Sequence, residues 1–145
     1  MQDFLATEIG FDPDIVVKDK DDKPIMFVTV KASRVYEAEE FTLYGLENYQ
    51  HVPFLMYVNT KYIRIYKSGN SEPVKKLNPL EIFKFYVPDF NEAKMRQSFV
   101  TTLIQAWLRD LVYHWKYSHP PAIKEIEEIG LLEKLDNMIT EELSW

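Results

Sequence analysis

The 145-residue chain contains no cysteine. That absence removes disulfides, thiol nucleophiles and thiolate metal sites together, and it fits a cytoplasmic protein. Glycine is scarce: Gly10, Gly45, Gly69 and Gly130 stand too far apart to build a phosphate-cradling loop. P-loop nucleotide hydrolysis is excluded. No apolar run approaches the roughly twenty residues of a membrane span, and no signal-peptide pattern opens the chain, so no membrane partner is expected. Histidine is sparse too. His51 stands alone, and His114 and His119 are five positions apart, the wrong spacing for two ligands on one helix face. No Ser-His-Asp arrangement can be picked out.

What is present points to a folded domain. Hydrophobic residues make up 46% and aromatics 14% of the chain, which excludes intrinsic disorder. The length suits one domain, residues 1–145, with a proper core. Acids outnumber bases 23 to 17, a net charge of −6, and the balance counts against autonomous, tight duplex binding. The charge is uneven. The acids crowd between Glu125 and Glu142, where Lys134 is the one base, whereas Lys61, Arg64, Lys67, Lys75 and Lys76 form a basic stretch. Lys61, Arg64 and Lys67 are the candidate nucleic-acid-binding residues. The competing reading is a solvated edge strand guarded by lysines.

The most informative segment runs from Phe11 to Ser33, FDPDIVVKDKDDKPIMFVTVKAS. Two apolar, β-branched runs flank the turn-forming stretch from Asp19 to Pro24, which predicts a β-hairpin. A turn centred on residues 21–23 sets Asp14 across from a position between Thr29 and Lys31. Alternation then puts Thr29 and Lys31 on one face and Val28 and Val30 on the other. An acid, a hydroxyl and an ammonium gather at the open end of an apolar ribbon. As a purely structural feature, Asp14 and Lys31 make a cross-strand ion pair, and threonine is an ordinary strand residue.

Pro13-Asp14 followed by Thr29-Val30-Lys31 resembles the PD-(D/E)XK motif of the restriction-endonuclease-like nucleases. The likeness is greatest to the nuclease domain at the N-terminus of type I restriction-enzyme motor subunits, and covers residues 11–67. It implies a metal-binding role for Asp14 and a catalytic one for Lys31, with Mg²⁺ or Mn²⁺ as cofactor if the domain is active. Thr29 stands where the second acid belongs, so the motif is degenerate. A relocated acid would come from Glu37, Glu39 or Glu40. The resemblance also implies a helix over Val35–Tyr49 and a strand pair, here Val52–Val58 and Tyr62–Tyr66. In that helix a glutamine often precedes a tyrosine by four residues; counting back from Tyr49 gives Gly45. Glu8 is the sole acid ahead of the hairpin that matches the family's assisting acid.

Past Pro88 the character is helical. A helix is predicted from Asn91, as its cap, to Tyr117, with a wide apolar stripe from Met95 through Trp107 to Trp115. Pro120-Pro121 stops it. A short helix from Ala122 ends with Gly130 as its C′ residue, and a last one spans Leu131–Leu143. The stripe reads as core or as a surface through which region 91–117 pairs with a second copy or another protein.

The fold expected is α/β: a restriction-endonuclease-like central mixed sheet flanked by helices, sheet-rich over 1–87 and a helical layer over 88–145. The function that the resemblance and the degenerate motif imply is a non-catalytic domain acting by binding or assembly in a DNA-related system, with DNA as the partner. One alternative is an active Mg²⁺- or Mn²⁺-dependent DNA endonuclease with a relocated acid. The other is an oligomeric scaffold with no nucleic-acid role.

Overall fold

Alternation of β-branched side chains around a five-residue turn builds the first hairpin, as expected. A computed structural model of the chain describes residues 13–32, 51–113, 119–135 and 143–144. Strand β1 is Ile15–Lys18 and β2 is Pro24–Lys31. Asp19 organises the turn: its Oδ1 accepts from the N–H groups of Asp21 at 2.8 Å and Lys23 at 3.0 Å, while its own N–H donates to the Lys23 carbonyl at 2.9 Å. Asp22 takes the left-handed conformation, φ 67°, that closes the turn. These bonds from the backbone, Lys23's first, hold the Asp19 carboxyl below its ordinary range.

Among the described residues the sheet has six strands in the order β5-β4-β3-β2-β1-β6, with β3 at Phe54–Asn59, β4 at Ile63–Lys67, β5 at Lys75–Leu77 and β6 at Leu143–Ser144. Among these described strands β2 and β3 pair in parallel and the other neighbours antiparallel, so the sheet is mixed. A parallel pair requires a crossover. Most of it, including the helix expected over 35–49, lies outside the described residues. The β3–β4 turn is capped by Asn59, whose Oδ1 accepts from Lys61 N and Tyr62 N, both at 2.8 Å.

Helix α1, Pro79–Tyr86, starts at an Asn78 cap with proline at N1 and stops at Val87, ahead of Pro88. Helix α2 is Gln97–Val112. It begins five residues later than predicted, because Asn91 caps only a 3₁₀ turn, Glu92–Lys94, through Oδ1 to Ala93 N. Helix α3, Ile123–Glu128, follows a left-handed Ala122, and Gly130 at φ 83° occupies the predicted C′ position. Helix α4 is Leu131–Leu135. The helix expected to continue to Leu143 does not: Leu143 pairs with Val17 in the sheet, and residues 136–142 lie outside the described set. The helical layer therefore gives its final described residues to the sheet, and the sheet-rich half contains a helix of its own.

One face of the sheet carries the main core. Ile15, Val17, Met26, Val28, Val30, Met56, Val58, Ile63 and Ile65 pack with the α2 stripe. Seven apolar residues of α2 are buried, from Val100 to Val112. At about 1.5–3 kcal/mol each, they contribute roughly 10–20 kcal/mol before chain entropy is set against them. This stripe is thus occupied within the chain, so the described part of region 91–117 does not offer it to a partner; Trp115 lies outside the described residues. Trp107 is fully buried and its Nε1 donates to the Pro121 carbonyl at 2.8 Å, tying α2 to the start of α3. Among the described residues no helix is long and apolar enough to cross a membrane.

Candidate functional site

The opposite sheet face is built from the odd-numbered residues of β2 and β3 and the even-numbered residues of β4. At its apolar end Val52, Leu55 and Tyr66 cluster with Phe27. At the other end, where the parallel strands reach their C-termini, it becomes polar. Lys31 stands beside Asn59, Thr29 beside Tyr57, Tyr57 beside Arg64, and Arg64 beside Lys76. A polar row therefore crosses four strands, and the hairpin places Asp14 at one end of it.

The register differs by one step from expectation. Ile15 pairs with Val28, which carries Asp14 opposite Thr29, not opposite Val30. The turn is centred one residue earlier than assumed, and a bulge between Val17 and Lys18 restores part of the offset. Asp14 N donates to the Val28 carbonyl at 2.7 Å, and Asp14 Oδ2 accepts from Val30 N at 2.6 Å. The amide of Gln97, the first residue of α2, continues the same edge. Its Nε2 donates to the Val30 carbonyl at 2.7 Å and its Oε1 accepts from Ala32 N at 3.1 Å. Two side chains thus extend the ladder of β2 past the end of β1.

These contacts bear on the metal chemistry that the motif implies. Thr29 is only 2% exposed and carries no charge. Asp14 supplies one carboxylate, of which one oxygen already serves Val30 N–H. Among the described residues no three His, Cys, Asp or Glu side chains converge. Asp14 and Thr29 do not by themselves fit Mg²⁺ or Mn²⁺, hard cations that take several oxygen ligands. Glu8, Glu37, Glu39 and Glu40 lie outside the described residues.

The basic stretch divides between faces. Lys61 is exposed in the β3–β4 turn, and Arg64 lies on the polar face. Lys67 has the parity of Ile63 and Ile65 and so projects to the opposite face. Lys75 also departs from the group: its Nζ donates to Glu128 Oε1 at 2.8 Å, a bond that holds the Glu128 carboxyl below its ordinary range. Lys76 stays with Arg64. Sequence reasoning missed Tyr62, which joins them. Lys76 Nζ lies 4.7 Å and Arg64 Cζ 5.7 Å from the Tyr62 ring centroid. The signal was available in the alternation Tyr62-Ile63-Arg64, which puts ring and guanidinium on one face. Gln97 gave no comparable signal.

Among the described residues, two buried donors on this face have no hydrogen-bond partner, Asn59 Nδ2 and Arg64 Nε. A cavity of about 440 Å³, lined by Asp19, Lys23, His51 and Lys134 among others, opens at the far end of the hairpin and takes in none of the motif residues. No protein-family profile, no curated protein and no solved structure matches the chain.

Proposed function

We propose that this chain is a nuclease-like domain whose catalytic centre has degenerated, and that it acts by binding DNA in a restriction or DNA-processing system. The observation that carries this reading is the Ile15–Val28 register, which brings Asp14 level with Thr29 at the open end of the hairpin, near Lys31. On this reading Asp14 and Lys31 are what is left of a PD-(D/E)XK motif, with the uncharged, buried hydroxyl of Thr29 where the second carboxylate would be. Asp14 is turned to a structural use, accepting the N–H of Val30. Lys31, half-buried beside Asn59, keeps a positive charge at the strand ends. The mixed sheet, with its hairpin leading into a parallel crossover, is in keeping with the restriction-endonuclease-like fold that the resemblance implies.

The test is a cleavage assay on supercoiled and single-stranded DNA with Mg²⁺ or Mn²⁺, run alongside a binding titration. Asp14→Asn is the control, because it keeps an oxygen for the Val30 N–H while removing the charge. The reading expects DNA binding and no product in any metal. Metal-dependent cleavage that disappears in folded Asp14→Asn would overturn it and direct attention to Glu37, Glu39 and Glu40. Absence of binding to any DNA would overturn the nucleic-acid role itself.

A further inference from the structure

We infer that Tyr62, Arg64 and Lys76 form a binding surface for single-stranded nucleic acid, with phosphates held between the two cations and a base resting against the tyrosine ring. The inference rests on the nucleic-acid reading above and adds to it a location, a strand form and a set of residues.

Like charges directly opposite one another across a strand pair destabilise it, yet Arg64 and Lys76 are direct cross-strand partners on β4 and β5. Both reach toward the Tyr62 ring. Among the described residues, no carboxylate pairs with Lys61, Arg64 or Lys76. The contrast with Lys75, one residue away and neutralised by Glu128, is direct. In a chain of net charge −6, an uncompensated cationic cluster is a local exception that an anion would relieve. Arg64 Nε adds an unsatisfied donor, which a phosphate drawing the guanidinium outward would satisfy.

The aromatic ring decides the strand form. Tyr62 is 40% exposed, one of two large hydrophobic side chains left open among the described residues. A duplex keeps its bases stacked inside and offers such a ring nothing, whereas an unpaired base can lie on it. The site is also narrow. Neighbouring strands are about 4.8 Å apart, so Arg64 and Lys76 match one stretch of a single backbone and not the two sides of a groove. An acidic peptide would satisfy the cations but would leave the ring unused.

The experiment is fluorescence anisotropy of the intact chain with a labelled oligothymidylate, a labelled duplex and a labelled polyglutamate. Tyr62 and Lys76 are exposed, so their variants are expected to fold, as circular dichroism would check. Tyr62→Ala should weaken oligothymidylate binding about 5- to 150-fold, while Tyr62→Phe binds as the parent does. Lys76→Ala should reduce the slope of log K against log salt by about 0.7. Binding that is unchanged by Tyr62→Ala, or tighter for duplex or polyglutamate, would overturn this inference and leave DNA binding by the domain standing. A parent protein that binds no nucleic acid would overturn both.

Discussion

The amide of Gln97 supplies β2 with ladder-like hydrogen bonds past the end of β1, and replacing it tests whether those bonds hold the molecule together. Its two hydrogen bonds, to the Val30 carbonyl and from the Ala32 N–H, join the first turn of α2 to the edge of β2. Each such bond is worth about 1 kcal/mol net, and a buried group left unsatisfied costs about 1–3 kcal/mol. Val30 and Ala32 are 0% and 2% exposed, whereas Gln97 itself is exposed, so water reaches the freed backbone groups only from the side the amide leaves. Gln97→Ala should therefore destabilise the domain by about 2–4 kcal/mol, lowering the thermal midpoint by about 6–12 °C. Urea unfolding followed by circular dichroism measures the loss. Hydrogen exchange locates it: the Ala32 amide should exchange faster, while the Val30 amide, held by Asp14, keeps its protection.

Gln97→Glu sharpens the test. Its carboxylate would face the Val30 carbonyl with the Asp14 carboxylate close by, so the fold would favour the protonated form and raise its pKa. Stability lost at neutral pH should then be regained on acidification. The recovery would be complete below the unfolded value of about 4.3, and would fade as pH rises through the raised folded value. An Ala variant within about 0.5 kcal/mol of the parent, the usual range for surface substitutions, would refute the reasoning. So would a Glu variant that is more stable at pH 7 than in acid.

Tyr86 donates to Asp110 Oδ2 at 2.7 Å, joining α1 to α2, and Tyr86→Phe should cost about 1.5 kcal/mol by chemical denaturation. Burial first, and then Asp110, pushes the Tyr86 phenol above its ordinary range. The folded state thus keeps that proton after the unfolded chain has lost it. Stability should be level below about pH 10 and decline above it, more steeply in the parent than in Tyr86→Phe. Glu128→Gln removes the exposed pair with Lys75 and should leave the thermal midpoint near that of the parent. Because the Glu128 carboxyl is lowered, the small advantage of the parent should exist above the usual glutamate range and vanish as pH falls through the lowered one. Trp107→Phe keeps most of the packing but leaves the Pro121 carbonyl without its donor, and calorimetry should show a loss of about 1–3 kcal/mol.

Local pattern was enough for much of this fold. Alternation located β1 through β4, and the three-and-four spacing of Val100, Leu103, Ile104, Trp107, Leu108 and Leu111 located the body of α2. The capping chemistry of Asn91 does not mark the start of α2, because it is equally at home in a 3₁₀ turn. Strand β5 has three residues, too few to display a period, and α1 announces itself mainly through Asn78-Pro79. Leu143 belongs to a helical pattern by spacing, but the open edge of β1 claims it as a strand. At the site, Asp14, Thr29 and Lys31 are legible as neighbours, though the turn is centred one residue early and the bulge restores the register only in part. Proximity along the chain groups Lys67 with Arg64, but parity assigns it to the other face. Gln97 acts on a strand 65 positions away, a distance no local rule spans.

The pairing of β6 with β1 has a kinetic consequence. Val16 and Val17 meet Ser144 and Leu143 across nearly the whole length of the described chain. Closing so long a loop costs entropy before any contact rewards it, so this ladder is expected to form late in folding. On the ribosome, β1 and β2 emerge long before residues 143–144 are made. Until then the outer edge of β1 carries unpaired backbone groups next to the apolar side chains of Ile15 and Val17, open to the edge of another nascent chain. The last two described residues thus act as a latch that is thrown only when synthesis reaches them.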